Sequence, residues 1–280
     1  MKLVMNTNLM FECWGDDVRA VRTIANAGFD AYDITLDAKG HYIYDDDYMQ
    51  KTKCLKREAD ALGLPCLQAH SPALKIASME DFNRDVALHS RSIEMCHELE
   101  CSMLVVHPGK NYSAAENYAN LYGKLLPMAE RMGVRIATEN MWNWNEDKTL
   151  TYPSACGSVE DFCAHIDIAN SYYLTGCLDI GHAEMTGAPG AATMIRGLGK
   201  SRIGCLHVHD NDVVRDRHTL PYQGKINWEE VIAALRDIGY EEHFTFEAGN
   251  FIKHYPDELF MAGLVHMEQL GRYFIKRITE

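Results

Sequence analysis

Eight short apolar runs, separated by segments of helical pattern, constrain the fold of this chain more than any other feature. The runs are predicted to be β-strands, and intervening segments such as 114–132 and 228–238 have the pattern of helices. In a chain of 280 residues the eight units average about 35 residues, a size that suits a βαβ crossover. We therefore predict a (β/α)₈ TIM barrel that forms a single domain over residues 1–280. The runs are Leu3–Met5, Ala31–Ile34, Cys66–His70, Met103–His107, Arg135–Glu139, Leu174–Asp179, Ile203–His209 and His243–Glu247.

A doubly wound open sheet is the structural alternative. Such a sheet normally has a glycine-rich phosphate turn after its first strand. Here the first run is followed by Asn6-Thr7-Asn8-Leu9, and the first glycine is Gly15. The Gly109-Lys110 pair follows a predicted strand but lacks the rest of a P-loop. The closed barrel is therefore favoured.

The charge balance limits the partners. With 27 Lys or Arg against 40 Asp or Glu, the formal charge is −13. Affinity for nucleic acid depends largely on basic residues that neutralise phosphates, and anionic membranes select basic surfaces in the same way. We therefore expect neither a nucleic-acid nor a membrane partner.

Cysteine usage and the N-terminus indicate the compartment. The nine cysteines are odd in number, scattered and never spaced as C-x-x-C, which is typical of free thiols rather than of a disulfide framework. The first residues lack the apolar run and cleavage site of a signal peptide. We expect a cytoplasmic protein.

Polar side chains with metal-binding capacity stand at the ends of six predicted strands. Because catalytic residues of a barrel collect at the rim formed by the carboxyl ends of its strands, these positions are expected to converge on one mouth. A lone histidine at such a position is usually a hydrogen-bonded structural residue, whereas a buried carboxylate without a counter-charge is costly. The set as a whole therefore predicts a shared metal site. Its members are His70, His107, Glu139, Asp179, His182, His207, His209 and Glu247.

The ligand chemistry favours a hard or borderline divalent cation. Two glutamates, one aspartate and one imidazole form an oxygen-rich set, for which Mn²⁺ is the first choice and Mg²⁺, Co²⁺ or Zn²⁺ are alternatives. Four protein ligands leave positions on a six-coordinate ion for two adjacent substrate oxygens. His207 shares a strand face with His209 and is interpreted as lying one layer deeper, next to the ligands rather than among them. The predicted ligands are Glu139, Asp179, His209 and Glu247.

These strand ends, taken in order, resemble the sugar phosphate isomerase/epimerase superfamily, the xylose isomerase-like barrels that also include the apurinic (AP) endonuclease branch. The resemblance covers nearly the whole chain, from Gly28-Phe29-Asp30-Ala31-Tyr32-Asp33, where the family usually has Glu at the last position, to Phe244-Thr245-Phe246-Glu247. Its most specific part is the run 206–212, Leu-His-Val-His-Asp-Asn-Asp, followed by Asp216-Arg217-His218 and by the loop 223–228.

The resemblance implies the same four ligands and a reaction. In the epimerase branch the two glutamates, here Glu139 and Glu247, act as acid and base on opposite faces of the sugar. The implied chemistry is proton abstraction next to a carbonyl of a ketose, aldose or related keto-sugar, through an enediolate held on the metal. Reprotonation on the other face gives epimerisation, and reprotonation at the neighbouring carbon gives isomerisation. By the same resemblance His182 and Arg217 match positions that usually hold substrate oxygens. His70, His107 and Trp142 are also expected to bind substrate, and His207, Asp216 and His218 to support the site or hold an additional metal.

Aromatic residues near the rim bear on the substrate. Trp142 and Trp144 follow the fifth predicted strand, and Trp14 follows the first, where aromatic rings stack on or close over a sugar. The last two βα loops carry only Arg215, Arg217 and Lys225, so an unphosphorylated sugar is slightly preferred over a phosphorylated one. The family often forms dimers or tetramers, so a homo-oligomer is also expected from the resemblance.

Three alternatives stay open. A lyase or dehydratase on the same scaffold, for example one that cleaves 3-keto-glycosides, begins with the same proton abstraction. A zinc nuclease like the AP endonuclease branch matches nine residue types here, but the charge of −13 opposes it. A non-catalytic carbohydrate-binding barrel predicts no proton exchange from a bound ketose.

Overall fold

Parallel strands that pair side by side form the inner wall of the protein. The computed structural model describes residues 1–74, 76 and 78–280. The strands of the wall are β1 (Leu3–Asn6), β2 (Ala31–Thr35), β3 (Cys66–His70), β4 (Met103–Val106), β5 (Arg135–Glu139), β8 (Leu174–Asp179), β9 (Ile203–His207) and β10 (Phe244–Phe246). A separate antiparallel hairpin consists of β6 (Trp142–Trp144) and β7 (Thr151–Pro153).

The eight-stranded sheet closes on itself. Its order is β10-β1-β2-β3-β4-β5-β8-β9, and a parallel bridge between Val208 and Phe246 joins the two ends. The backbone N–H of Val208 donates to the Thr245 carbonyl at 2.9 Å, and that of Glu247 donates to the Val208 carbonyl at 3.1 Å. These bonds leave no open edge between β9 and β10, so the predicted (β/α)₈ barrel is confirmed.

Helices cover the outside of the barrel. Several begin where the sequence places a capping residue: the Ser158 side chain accepts from Asp161 N–H, and Ser113 and Glu116 form a reciprocal capping box. The segment predicted over 114–132 is helical but contains a π-helical stretch at Tyr118–Tyr122. The helices are α1 (Asn8–Trp14), α2 (Asp17–Ala27), α3 (Tyr48–Leu62), α4 (Met79–Glu98), α5 (Ala114–Asn117), α6 (Gly123–Met132), α7 (Val159–Asp167), α8 (Ile180–Ala183), α9 (Ala191–Leu198), α10 (Trp228–Asp237) and α11 (Asp257–Thr279), with 3₁₀ turns at Tyr42–Tyr44 and Gly249–Phe251.

The inside of the barrel has two chemically different halves. Side chains of β4, β5, β8 and β9 form a small apolar cluster of Met103, Val105, Ala137, Cys177 and Cys205. The facing half is polar, with the fully buried side chains of Asp33, Gln68, His207 and Thr245. The larger apolar core lies between the strands and the helices. The nine cysteines are free, as predicted.

Among the described helices, none is long and apolar enough to cross a membrane.

Candidate metal centre and active site

The carboxyl ends of four strands bring one group of side chains together. Glu139, Asp179 and His207 are the last residues of β5, β8 and β9, and Glu247 follows β10 directly. Because parallel strands of a barrel end at one rim, these side chains meet although they are far apart in sequence. One ligand atom from each lies within 4.8 Å of the others. This group is called the glutamate centre below.

His207 lies among the three carboxylates of the glutamate centre. Its Nδ1 is 3.1 Å from Glu139 Oε1, 3.3 Å from Glu247 Oε2 and 4.0 Å from Asp179 Oδ2. Burial disfavours the imidazolium, but the charges of Glu247 and Glu139 outweigh it and raise the pKa of His207 well above its usual value. Three carboxylates at this spacing require positive charge, which the imidazolium or a bound cation can supply.

The histidine of this centre differs from the expected one. The structure brings together Glu139, Asp179 and Glu247, as predicted, but the imidazole beside them is His207, and His209 belongs to a neighbouring group. The reason is strand register: His207 pairs with Asp179 across β8 and β9, after a shift in the register at Gly176. His207 is therefore level with the acids, and the expectation that it lies a layer deeper is not met.

A second group, the histidine cluster, lies beside the first and consists of His182, His209, Asp216 and His218. Asp216 Oδ2 is 3.1 Å from both His182 Nε2 and His218 Nε2, and His209 Nε2 is 3.5 Å from Asp216 Oδ1. The ring of His209 stacks on that of His218 with centroids 4.1 Å apart. The cluster touches the glutamate centre through His209 Nε2, which is 3.1 Å from Asp179 Oδ1.

In the histidine cluster, the carboxylate and the imidazoles stabilise each other's charged forms. Burial opposes protonation of His182, but Asp179 and Asp216 raise its pKa to about 10. Burial would also raise the pKa of Asp216, yet the charges of His218 and His182 hold it well below the usual range. The cluster therefore holds a partly buried carboxylate next to two histidines, His182 and His218, whose pKa values are raised, and it offers four ligand atoms for an additional metal.

His70 and His107 flank Glu139 on its other side. His107 Nε2 is 2.8 Å from Glu139 Oε2, and His70 Nε2 is 3.6 Å from the same oxygen. Burial opposes the charge on His70, but the Glu139 carboxylate raises its pKa to about 9. For Glu139 itself, burial is outweighed by the charges of His207 and His107, so its pKa is held well below the usual range. The neighbouring histidines thus favour the ionised form of Glu139.

A cavity of about 640 Å³ opens above these groups. Glu139 and Glu247 form part of its wall, so both carboxylates face the space where a substrate would lie. Trp142 forms another part, as expected for an aromatic residue after β5, together with Met141 and Asn143. Further lining residues include Asn8, Glu12, Thr35, Asp37, His70, His107, Lys110, His182, Asp216 and His218.

The basic residues at the cavity include Lys110 rather than the predicted Arg217. Arg217 is expected to bind substrate, but its Nε lies 2.5 Å from Asp212 Oδ2 and the residue is outside the described lining of the cavity. Lys110, which is not among the predicted site residues, lines the cavity, and its Nζ donates to the Trp142 carbonyl at 3.0 Å. The signal for Lys110 was its position directly after His107-Pro108-Gly109 at the end of β4.

The residues of the glutamate centre fit a divalent cation. Three carboxylates and one imidazole, all but Glu247 fully buried, each place one ligand atom within 4.8 Å of the others. Oxygen-rich sets of this kind hold Mn²⁺, Mg²⁺ or Zn²⁺ rather than soft metals. The nearby cysteines Cys177 and Cys205 belong to the apolar cluster deeper in the barrel.

A closed eight-stranded barrel with a metal-competent centre at the carboxyl rim defines the class of this protein. Comparison with known families agrees: the model of the xylose isomerase-like TIM barrel family matches residues 21–269. The chain belongs to this family. It is also 31% identical over 245 residues to the uncharacterized protein MJ1311 of Methanocaldococcus jannaschii, covering 82% of this chain and 78% of that protein.

Solved structures share the fold over nearly the full length. A D-tagatose 3-epimerase-like protein superposes with a TM-score of 0.78 at 24% identity, covering 99% of this chain and 98% of the other. A D-psicose 3-epimerase, solved in the presence of D-fructose, gives 0.71 at 16% identity with complete coverage of both chains. The IolI protein, solved with a zinc atom, gives 0.71 at 17% identity, covering 100% of this chain and 98% of the other.

Proposed function

We propose that this protein is a divalent-metal-dependent epimerase or isomerase of a keto-sugar, with Glu139 and Glu247 as its acid and base. The observation that carries the proposal is that both glutamates line the same cavity and both contact the same nitrogen, His207 Nδ1, from different strands. Two carboxylates that come from different strands and line one cavity can both reach a substrate carbon bound there.

The glutamate centre would hold the metal, with Glu139, Asp179, His207 and Glu247 as ligands and Mn²⁺ as the first candidate. A bound divalent cation supplies positive charge next to a substrate oxygen, which stabilises negative charge that develops there during proton abstraction. This ligand set replaces the expected His209 by His207, because only the latter contacts both glutamates at 3.1 and 3.3 Å.

Glu139 is suited to remove the proton. The surrounding histidines keep it ionised, and its contact with His107 Nε2 at 2.8 Å fixes the carboxylate in place. The Asn6 side-chain amide donates to Glu247 Oε1 at 3.4 Å, and His218 Nδ1 lies 3.6 Å from Glu247 Oε2. Neighbouring residues therefore also hold the Glu247 carboxylate in position. Glu247 must enter the step in its protonated form, and it then delivers this proton to the opposite face of the same carbon to give the epimer. The proton that Glu139 removed is afterwards released to solvent, and Glu247 is reprotonated from solvent.

The cavity wall supplies substrate contacts. Trp142 offers an aromatic face of the kind on which sugars stack, and Lys110 lies against that ring, with Nζ 5.3 Å from the ring centroid. His70, His107 and His182 line the cavity and can bond to sugar hydroxyls. We propose an unphosphorylated ketose or keto-sugar as the substrate class.

A substrate screen tests the function. Purified protein, stripped of metal and then supplied with Mn²⁺, is incubated with a panel of ketoses, aldoses and keto-glycosides in deuterated buffer and followed by NMR. We expect deuterium to enter the carbon next to the carbonyl of at least one sugar, together with formation of its epimer or isomer. Release of an aglycone or of water would instead assign the lyase alternative, and absence of exchange from a sugar that binds would assign a non-catalytic barrel.

A zinc nuclease is the second candidate, because the histidine cluster offers a second set of metal ligands beside the first. Against it, acids such as Glu12 and Asp37 line the mouth, and the chain carries a charge of −13, both of which oppose DNA phosphates. Incubation of the Zn²⁺-loaded protein with a duplex that contains one abasic site tests this candidate. We expect no strand cleavage above a metal-only blank.

A further inference from the structure

A chain of polar side chains runs through the inside of the barrel below the glutamate centre. Gln68 Nε2 donates to Asp33 Oδ2 at 3.2 Å, and Gln68 Oε1 accepts from Thr245 Oγ1 at 3.0 Å. His243 Nε2 lies 3.0 Å from the same Gln68 oxygen. Asp33, Gln68 and Thr245 are fully buried, so this chain occupies space that apolar residues fill in the other half of the barrel.

The upper end of this chain meets His207. The ring turns Nδ1 toward the glutamate centre and Nε2 toward Asp33 Oδ2, at 3.8 Å. Both His207 Nε2 and Asp33 Oδ1 are buried polar atoms with no hydrogen-bond partner. A buried unpaired donor or acceptor costs about 1–3 kcal/mol, so two of them in neighbouring side chains require an explanation.

We propose that Asp33 is a positioning residue for His207. In this arrangement the Asp33 carboxylate accepts the Nε2–H of His207, and this leaves the Nδ1 lone pair free for the cation of the glutamate centre. Histidine ligands in general donate their other ring N–H to such a partner, which fixes both the tautomer and the ring orientation. At 3.8 Å the contact is electrostatic, and the proposal is that it shortens to a hydrogen bond when Nδ1 binds a cation.

Gln68 gives Asp33 its fixed position. Because the Gln68 amide bonds to Asp33 Oδ2 and is itself held by Thr245, the carboxylate cannot turn away from His207 without breaking buried hydrogen bonds. The inference rests on the proposed metal function, since without a cation at the glutamate centre His207 needs no fixed tautomer.

Metal affinity tests the inference without any sugar substrate. Zn²⁺ and Mn²⁺ affinities are measured by chelator competition for the wild type, Asp33→Leu and Asp33→Asn. Removal of a partner of this kind weakens metal binding by roughly 10–100-fold, which is the loss expected for Asp33→Leu. Asp33→Asn keeps an acceptor oxygen of similar size, so a smaller loss is expected. Affinity within threefold of wild type for Asp33→Leu overturns the proposal.

A matched control separates positioning from general damage to the fold. Asp85 is also a buried aspartate next to a histidine, with Oδ2 3.0 Å from His89 Nε2, but it lies on α4 outside the glutamate centre. Asp85→Leu is therefore expected to lower thermal stability while metal affinity stays at the wild-type value. An equal loss of affinity in the Asp85 and Asp33 variants would show a structural effect only and would overturn the proposal.

A second readout applies if Asp33→Leu does not fold. In Zn²⁺-loaded protein with ¹⁵N-labelled histidine, wild-type His207 is expected to show a hydrogen-bonded Nε2–H that shifts in Asp33→Asn. An unchanged resonance overturns the proposal. Failure of the wild type itself to bind either metal would refute the metal centre of the proposed function, and the inference with it, whereas normal wild-type binding with unaffected variants refutes the inference alone.

Discussion

Replacement of His207 by Asn is the perturbation that best separates the two histidines of the His-x-His run. In the metal-free protein His207 is the cation between two glutamates, at 3.1 and 3.3 Å, and it is fully buried. Removal of one member of a buried ion pair typically costs about 3–5 kcal/mol. We therefore expect the melting temperature of metal-free His207→Asn to fall by roughly 5–15 °C.

The pH dependence of this loss follows from the direction of the pKa shift. Because the folded protein holds the pKa of His207 well above its ordinary value, the imidazolium contribution is complete below about pH 6.5 and is lost as pH rises through the raised value. The comparison of wild type and variant is therefore made near pH 6, where the difference is largest.

Metal titration then identifies the ligand. A four-ligand site that binds with about 10–16 kcal/mol loses roughly a quarter of that with one ligand, which corresponds to a 10²–10³-fold weaker affinity. His209→Asn is the matched control, because His209 is equally buried but contacts Asp179 and Asp216 instead of the glutamates. A larger loss of affinity in His209→Asn than in His207→Asn would refute the assignment.

Three further changes test other parts of the molecule. A Cβ at Gly181 would overlap the His209 ring, so Gly181→Ala should lower the free energy of unfolding by about 1–3 kcal/mol in thermal denaturation, and an unchanged melting temperature would contradict the packing described. Burial lowers the pKa of His243 to about 4, so between pH 6.5 and 4 the unfolded chain binds a proton that the folded chain does not. The free energy of unfolding should therefore fall by about 1–2 kcal/mol as the pH is lowered from 6.5 to 4, a value reduced because the ring is partly exposed. Urea denaturation of His243→Gln should not show this decrease. Trp142→Ala should raise KM for the sugar about tenfold with unchanged metal affinity, because the aromatic face for stacking is lost. Trp142→Phe should keep KM close to the wild-type value, whereas an unaffected KM in Trp142→Ala would exclude stacking.

The barrel and its rim could be predicted from the sequence because both depend on short-range patterns. Short apolar runs mark the strands, and a strand that ends in Glu139 or Asp179 places its last side chain at the rim whatever the neighbouring strand does. The convergence of acids from β5, β8 and β10 then follows from topology alone. That part of the site needed no knowledge of distances.

The choice between His207 and His209 could not be predicted in the same way. Alternation along a strand shows that both point inward, but their depth depends on how β9 pairs with β8, and the register shifts at Gly176. The residue pattern of either strand does not indicate such a register shift. How deep His207 and His209 lie in the barrel depends on strand pairing, and only the structure shows that pairing.

The positions of loop side chains at the cavity could not be predicted from the sequence either. Arg217 was expected to bind substrate, but the neighbouring Asp212 binds its guanidinium at 2.5 Å. Lys110 lies in the cavity because its loop packs on the β6–β7 hairpin, where Ser154 Oγ donates to the Lys110 carbonyl at 2.7 Å. The Ser154–Lys110 contact joins residues 44 positions apart, so no local motif encodes it.

The most direct test of the central claim is deuterium exchange by the paired glutamates. With a sugar substrate found in the screen and saturating Mn²⁺, exchange at the carbon next to the carbonyl is measured by NMR for wild type, Glu139→Gln, Glu247→Gln and the control Glu184→Gln, a half-buried glutamate outside the cavity lining. An acid–base role predicts a loss of about 10²–10⁴-fold in both site variants, with weakened but measurable metal binding and a normal control. Full turnover in both Glu139→Gln and Glu247→Gln would contradict the account.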